Sequence, residues 1–568
     1  METREPRHAP FWPPGLSRRL TLPQTNVWYN AEVSATRYPD KPYIVFYGTT
    51  ISFAAFRRQT EQIAGYLQQA CGVRPGDRVL LYLQNSPQWM LAYYGILRAN
   101  AVVVPVNPMN RTAELRHCAR DSGARTAFVA QDLLGQARPL MTPQDLEHVV
   151  VATYSDYLSA PTDLPVPAFV AEPRLALDAA DRAAGARSWQ AMMAADCAPG
   201  PLLAGPNDLC VMPYTSGTTG APKGCRHSHR SVMSTLVGGA QFFSRTQDST
   251  YLAVLPFFHV TGMSGSMNGP LFIGATVAVL PRWDRDAAAQ MMERYRVTVW
   301  QTISTMVIDF LANPQLPRYD LTALQVVRGG GAAMPAAVAE KLKRLTGLDY
   351  VEGYGMSETM AATHINPPHR PRLQSLGIPV FDVDARIVDP GTLQELGIDE
   401  VGEIVVHGPQ VMDGYWQDPA ADAEAFIDIE GKRFLRTGDL ARVDAEGYFF
   451  MVDRLKRMIN ASGFKVWPAE VEAMMYRHPD IQEACVIGTR DPRRGETVKA
   501  LVVLLPGREG EVSEQDIIDW AHERMAAYKS PRIVAFVPSL PKSASGKVLW
   551  RTLQEAEDAA TALPGRSA

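Results

Sequence analysis

Apolar residues along this chain follow two rhythms. Tyr43–Tyr47, Arg78–Leu83 and the β-branched run Ala101–Val106 read as buried strands, while Phe53–Ala70 carries its apolar positions at helical spacing. Ser86 followed by Pro87 predicts a capped helix start. After an apolar run at Leu209–Met212 the alternation resumes, with Ser231–Ala240 as a helix and Tyr251–Leu255 as a strand. Ala275–Leu280, Ala287–Tyr295, Val297–Thr302 and Met306–Leu311 continue it. A helix with Pro335 in its first turn ends before Gly347, and Asp349–Glu352 is a short strand that leads into glycine-rich sequence. Strands alternating with helices predict an α/β fold around a largely parallel, buried sheet.

From Asp384 the texture becomes β-rich, with a hairpin signal at Asp444-Ala445-Glu446-Gly447. It changes again beyond Lys456. Glu470–Met475 reads as a helix, Ala484–Gly488 and Ala500–Leu505 as strands, Ser513 as the cap of a helix to Ala527, and Ile533–Val537 as a last strand. This is a small α+β unit of about 110 residues, within the ordinary domain range. Two stretches resist the pattern: residues 1–26, rich in proline and basic residues, form a strap or a loose tail, and residues 155–205 are expected to be irregular. No internal repeat is found.

With 568 residues the chain exceeds what one core serves, so at least two domains are expected. A net charge of −4 gives no footprint for nucleic acid, and no polybasic block suits anionic lipid. No apolar run reaches the roughly 18 residues of a transmembrane segment. The N-terminus lacks the apolar core of a secretory signal. Six cysteines are scattered without a C-x-x-C pair, which fits reduced thiols and a cytoplasmic protein. A homodimer and a loose membrane association are both compatible with the sequence.

Candidate chemistry centres on Tyr214-Thr215-Ser216-Gly217-Thr218-Thr219-Gly220-Ala221-Pro222-Lys223-Gly224. A loop rich in hydroxyls and glycines with one lysine can turn backbone N–H groups, side-chain hydroxyls and an ammonium toward one polyanion, so it reads as a triphosphate cradle. A Walker A loop needs Gly-Lys followed by Ser or Thr; here Pro222 precedes the lysine and Gly224 follows it. Taken alone, such a stretch is equally a surface turn.

The full string resembles the phosphate loop of the AMP-forming adenylating enzymes, which comprise acyl-CoA synthetases, beetle luciferases and nonribosomal peptide adenylation domains. Further strings in the family's order extend the resemblance from about Asn26 to Lys547. The resemblance implies a large N-terminal domain of α/β layers plus a β-rich subdomain over 27–452, a hinge at 453–456 centred on Lys456, and a small mobile α+β domain over 457–568. It further implies that Thr215, Ser216, Gly217, Thr218, Thr219 and Lys223 hold the β- and γ-phosphates of ATP. Gly330, Gly331, Ala332 and Ala333 form the adenine wall, and Tyr354 and Gly355 lie across from it. Glu358 holds Mg²⁺, Thr359 donates to the α-phosphate, Asp439 accepts from the ribose hydroxyls and Arg454 reaches the nucleotide. Lys547 bridges carboxylate and α-phosphate during adenylation.

In the second half-reaction Ser462, Gly463 and Phe464 line the route of coenzyme A. His259, in Phe258-His259-Val260-Thr261-Gly262, stands where the acyl pocket meets that route. Thr261, Met263, Met306 and Gly353 belong to the expected acyl pocket, within Thr261–Asn268, Trp300–Leu311 and Val351–Gly355; pliable methionines suit a hydrocarbon or aryl tail. The implied protein is an acid–thiol ligase that joins a medium- to long-chain fatty or aryl carboxylic acid to ATP and then to CoA. Two rivals stand beside it: an adenylate-former serving a separate carrier protein, and an idle nucleotide- or lipid-binding regulator.

Overall fold

Six parallel strands run through the first sheet of the larger unit. The full order is Ile378–Pro379, Ala361–Ile365, Tyr350–Met356, Val326–Gly330, Val299–Thr302, Thr250–Ala253, Thr276–Val279, Pro42–Phe46 and Thr49–Ser52. The two strands after Tyr350–Met356 and the Thr49–Ser52 strand are antiparallel to their neighbours, so only the edges depart from the parallel centre. The computed structural model describes residues 6–215, 222–331, 333–461, 464–491, 495–543 and 548–561. They divide into one unit of Met1–Asp384 with Val406–Leu435 and another of Ala385–Val405 with Arg436–Ala568.

A second sheet in the larger unit runs Gly414–Tyr415, Lys223–Ser228, Leu209–Val211, Val102–Pro105, Arg78–Tyr82, Thr126–Ala130, His148–Ala152 and Ala186–Ser188, with Tyr214–Thr215 paired to Lys223–Ser228. One apolar core joins the two sheets: Ile44, Leu252 and Val277 of the first and Val79, Leu81 and Phe128 of the second share it with Phe56, Ile63, Trp89 and Met90. The last four sit on helices Phe53–Gln69 and Pro87–Arg98. Pro87–Arg98 is buried on all sides as far as Leu97, as an apolar helix inside a layered domain must be. The Ser86 hydroxyl accepts from the Trp89 amide at 3.2 Å, so the expected cap is formed.

In the larger unit two expectations change and one open choice is decided. Residues 155–205 are not wholly irregular: Ala186–Ser188 extends the second sheet beside His148–Ala152, and Trp189 of helix Trp189–Ala194 is buried in the core. The short strand at Asp349–Glu352 runs on to Met356, because Gly330 and Gly353 let the neighbouring backbones close together. Of the two readings of the N-terminal segment, the strap holds for residues 6–26. Trp12 packs edge-on against Phe242 and Phe381 at 5.5 and 5.0 Å, and the Leu20 amide donates to Asp382 at 2.9 Å.

In the second unit, Phe449–Arg454 pairs antiparallel with residues 439–443, and the Gly447 amide closes the expected turn on the Asp444 carbonyl. The C-terminal sheet runs Phe464–Val466, Ile459–Ala461, Gly495–Leu504 and Ile481–Asp491, with Ile533–Phe536 parallel to Gly495–Leu504. Val466, Val471, Val486, Ala500, Ile517 and Val534 form its core. Ser513 caps the helix as expected, but the helix ends at Arg524 rather than Ala527. The helix Trp550–Thr561 was not anticipated; it is tied to the sheet by Gln554 on Gly488 and by Glu557 on Lys499.

Candidate active site

Lys223 stands opposite Thr215 in an antiparallel pair of strands. The base of that pair is fixed from one side: Tyr214 donates through its hydroxyl to Asp121 at 2.6 Å, and His117 hydrogen-bonds the Pro222 carbonyl at 2.8 Å, both from helix Thr112–Ser122. Cys225 on the same strand pairs with Tyr415. That register sets the Lys223 ammonium 5.4 Å from the centroid of the Tyr415 ring and 3.2 Å from the Asp418 carboxylate. The Ala421 amide and Lys223 hold Asp418 below the usual carboxylate range.

Glu358 lies in the turn Ser357–Thr359 that follows strand Tyr350–Met356, and it is buried. The Tyr415 hydroxyl donates to it at 3.0 Å, while the Met412 amide donates to the Glu358 carbonyl at 2.8 Å. Burial, reinforced by Glu358, pushes the Tyr415 phenol well above its ordinary value, so it remains a donor. His227, two places beyond Cys225, donates through Nε2 to the Ser357 carbonyl at 2.7 Å. Burial lowers its pKa to about 4, so the ring is neutral. Lysine and glutamate are thus brought into one neighbourhood by side chains that the sequence did not single out. Tyr415 and His227 lack any local motif; only the pairing of distant strands reveals them.

Gly330 of the expected adenine wall and Gly355 across from it stand where strand meets strand. A Cβ at Gly330 would lie 2.2 Å from the Gly353 carbonyl, and one at Gly355 would lie 1.8 Å from the Ala361 carbonyl. A side chain at either position would collide with the neighbouring strand, so strand pairing by itself requires glycine there. Gly331 adopts φ +88°, where a side chain is strained. The buried Glu352 accepts from the Met334 amide at 2.6 Å, which pins the segment after the glycines; burial raises its pKa to about 7. Tyr354 packs edge-on against His364 at 5.7 Å. The Thr359 hydroxyl donates to the Ala361 carbonyl at 2.7 Å and accepts from the Met356 amide, so it shapes its own turn.

His259 accepts from the Thr261 amide at 3.4 Å at the start of a short helix that widens into a π-helix over Met263–Asn268. Met263 is buried in the core, and Met306 is half-buried against it. In the second unit Asp439 is buried and pairs with Arg454 Nε at 3.1 Å across the strands. The preceding turn is fixed by Glu403, which accepts from the Gly438 amide at 3.0 Å and holds Arg436. Asp453 accepts from the Ala469 amide at 2.7 Å, and Arg457 is locked on Glu472, so both sides of Lys456 are anchored to that unit. Ser216, Gly217, Thr218, Thr219, Ala332, Ser462, Gly463 and Lys547 lie outside the described residues, as do the side chains of Lys456 and Phe464.

An AMP-binding enzyme domain matches residues 31–416, and an AMP-binding enzyme C-terminal domain matches residues 470–547. The chain belongs to the AMP-binding enzyme family. Among AMP-binding enzymes it is 34% identical to a long-chain-fatty-acid–CoA ligase of Bacillus subtilis (strain 168), over 98% of this chain and 99% of the relative. It is 35% identical to a feruloyl-CoA synthase of an Amycolatopsis species, over 88% and 93%. The crystal structure of the anthranilate CoA ligase AuaEII in complex with anthranoyl-AMP superposes with a TM-score of 0.82 at 27% identity, covering 96% of this chain and 99% of that one. The α/β architecture inferred from the sequence is that of these AMP-binding enzymes.

Proposed function

We propose that this protein is an ATP-dependent, AMP-forming acyl-CoA ligase acting on a medium- to long-chain fatty or aryl carboxylic acid. The observation that carries the reading is the grouping of Lys223, Tyr415 and Glu358 beside the family's phosphate-loop sequence. Full-length similarity to both a fatty-acid and an aryl-acid CoA ligase supports the thiol acceptor and leaves the acid class broad.

In the first step a carboxylate oxygen attacks the α-phosphorus of ATP and the bond to pyrophosphate breaks, giving acyl-AMP. Two anions must be brought together, so positioning and charge neutralisation dominate the barrier. Lys223 supplies a cation to the departing phosphates together with Thr215, Ser216, Gly217, Thr218 and Thr219, and Lys547 bridges the reacting carboxylate and α-phosphate. Glu358 and the phosphates would hold Mg²⁺, which neutralises phosphate charge; a single buried carboxylate fits an ion that takes one or two protein carboxylates beside phosphate oxygens. Tyr415 fixes the orientation of Glu358. Asp439 takes the ribose hydroxyls, and Arg454, which pairs with it at 3.1 Å, reaches the nucleotide.

In the second step the CoA thiolate attacks the acyl carbonyl, the carbon–oxygen bond to AMP breaks, and thioester and AMP leave. Domains over 27–452 and 457–568 turning about 453–456 would exchange Lys547 for Ser462, Gly463 and Phe464, with His259 at the junction. The free cysteines support a reducing, cytoplasmic setting. Among the described residues no helix is long and apolar enough to cross a membrane. A panel of carboxylic acids assayed for CoA-dependent AMP release tests the proposal. AMP appearing only with acid and CoA together supports it; ATP turnover to ADP, or none with any acid, overturns it.

A further inference from the structure

Arg328 lies on strand Val326–Gly330, one residue before the glycines. Its Nη2 donates to the amide oxygen of Gln301 at 3.2 Å and toward the Gly265 carbonyl at 3.4 Å, and its guanidinium sits 4.3 Å from the centroid of Phe243. Nε is buried and, among the described residues, has no hydrogen-bond partner. Among the described residues no carboxylate pairs with this cation; after burial itself, the groups that bear on it are the buried phenol of Tyr251 and then another arginine, Arg245.

This group is placed on the expected acyl pocket. Gln301 donates to the Thr261 carbonyl at 3.2 Å, and a Cβ at Gly265 would fall 1.9 Å from the Gln301 amide oxygen, so glycine is needed there for Gln301 to reach Arg328. Thr261, Gly265 and Gln301 all belong to the segments assigned to that pocket, whose neighbours Met263 and Met267 are apolar and fully buried. A purely hydrocarbon tail reaching Arg328 would set methylene groups against a half-buried cation, which is unfavourable. An oxygen at the tail's end would instead complete a charge-assisted hydrogen bond.

We propose that Arg328 is a specificity-determining residue that recognises an oxygen acceptor carried by the acid substrate at its end remote from the reacting carboxyl. The inference rests on the ligase reading and narrows its substrate class to oxygenated acids: dicarboxylates, ω-hydroxy acids or hydroxylated aryl acids. A site built to hydrogen-bond a substrate group discriminates strongly against the analogue that lacks it.

The test uses matched acids: dodecanoate, its terminal alcohol and the corresponding dicarboxylate, with cinnamate and para-hydroxycinnamate as an aryl pair. kcat/KM is read from CoA-dependent AMP release, and affinity from calorimetry with a non-hydrolysable ATP analogue. The wild type is expected to favour the oxygenated member of at least one pair by roughly tenfold or more. Arg328→Met should collapse that ratio toward unity, and Arg328→Lys should restore part of it. Preference for the dicarboxylate over the alcohol identifies an anion as the ligand; equal preference identifies a neutral oxygen. Equal treatment of plain and oxygenated acids by the wild type overturns the proposal. So does an equal loss on both with Arg328→Met, which would make Arg328 only a tie for the Gly265 carbonyl. If no acid releases AMP while the calorimetric preference persists, the ligase reading fails and the recognition stands.

Discussion

The Tyr415 hydroxyl donates to the Glu358 carboxylate at 3.0 Å, and the ring of the same tyrosine lies 5.4 Å from the Lys223 ammonium. One side chain therefore organises both the acidic and the basic partner of the proposed phosphate site. Tyr415→Phe keeps the ring under Lys223 and removes only the hydrogen bond. Charged hydrogen bonds are worth about 1.5–3 kcal/mol, so pyrophosphate release should slow by about tenfold or more. The measurement is the acid-dependent pyrophosphate burst. A rate within twofold of wild type would show that Glu358 does not need this donor.

Stability should fall between pH 6.5 and 4. Burial lowers His227 and His229 to about 4 and His364 to about 3, whereas the unfolded chain titrates these rings near 6.5. Below pH 6.5 the unfolded state takes up protons that the folded state refuses, so stabilisation present above that pH is lost as pH falls through the window. His227 and His229 each contribute on the order of 3 kcal/mol at most and His364 on the order of 5 kcal/mol. Denaturant midpoints measured from pH 7.5 to 4.5 should decline, and His227→Gln should make the decline shallower. A flat wild-type profile would show that these rings titrate freely in the fold.

Gly355→Ala should be costly. The new methyl would stand 1.8 Å from the Ala361 carbonyl, and its nearest neighbours are all backbone atoms of Ala361 and Ala362 rather than a flexible side chain that could yield. Overpacking of this kind costs roughly 1–3 kcal/mol, and the displaced turn carries Glu358. A lower unfolding midpoint together with weaker ATP binding is the expected result. Unchanged ATP affinity would separate this strand junction from the nucleotide site.

Features governed by nearest neighbours were legible in the sequence. Ser86 and Ser513 cap their helices, Gly347 ends its helix at φ +75°, and the Asp444–Gly447 turn forms as its residues dictate. The chemical strings around Lys223, Glu358 and Asp439 were legible too, because each is a contiguous motif. What could not be seen depends on chain segments far apart in sequence. Tyr415 reaches Glu358 only through pairing with the Lys223–Ser228 strand, and His227 reaches Ser357 across 130 positions. Strand Tyr350–Met356 runs through glycines that weaken a local strand signal, and their purpose is visible only once Gly353 is set against Gly330. Arg328 likewise carries no motif of its own and meets Gln301 only through pairing with strand Val299–Thr302.

Incubating the enzyme with ATP, Mg²⁺ and an acid that it accepts, first without CoA and then with it, is the most direct measurement of the whole reading. The first stage should yield one equivalent of pyrophosphate and enzyme-bound acyl-AMP by mass spectrometry, and adding CoA should convert that species to acyl-CoA with release of AMP. Formation of ADP and phosphate, or AMP appearing with no acyl-AMP before it, would contradict an adenylate-forming ligase.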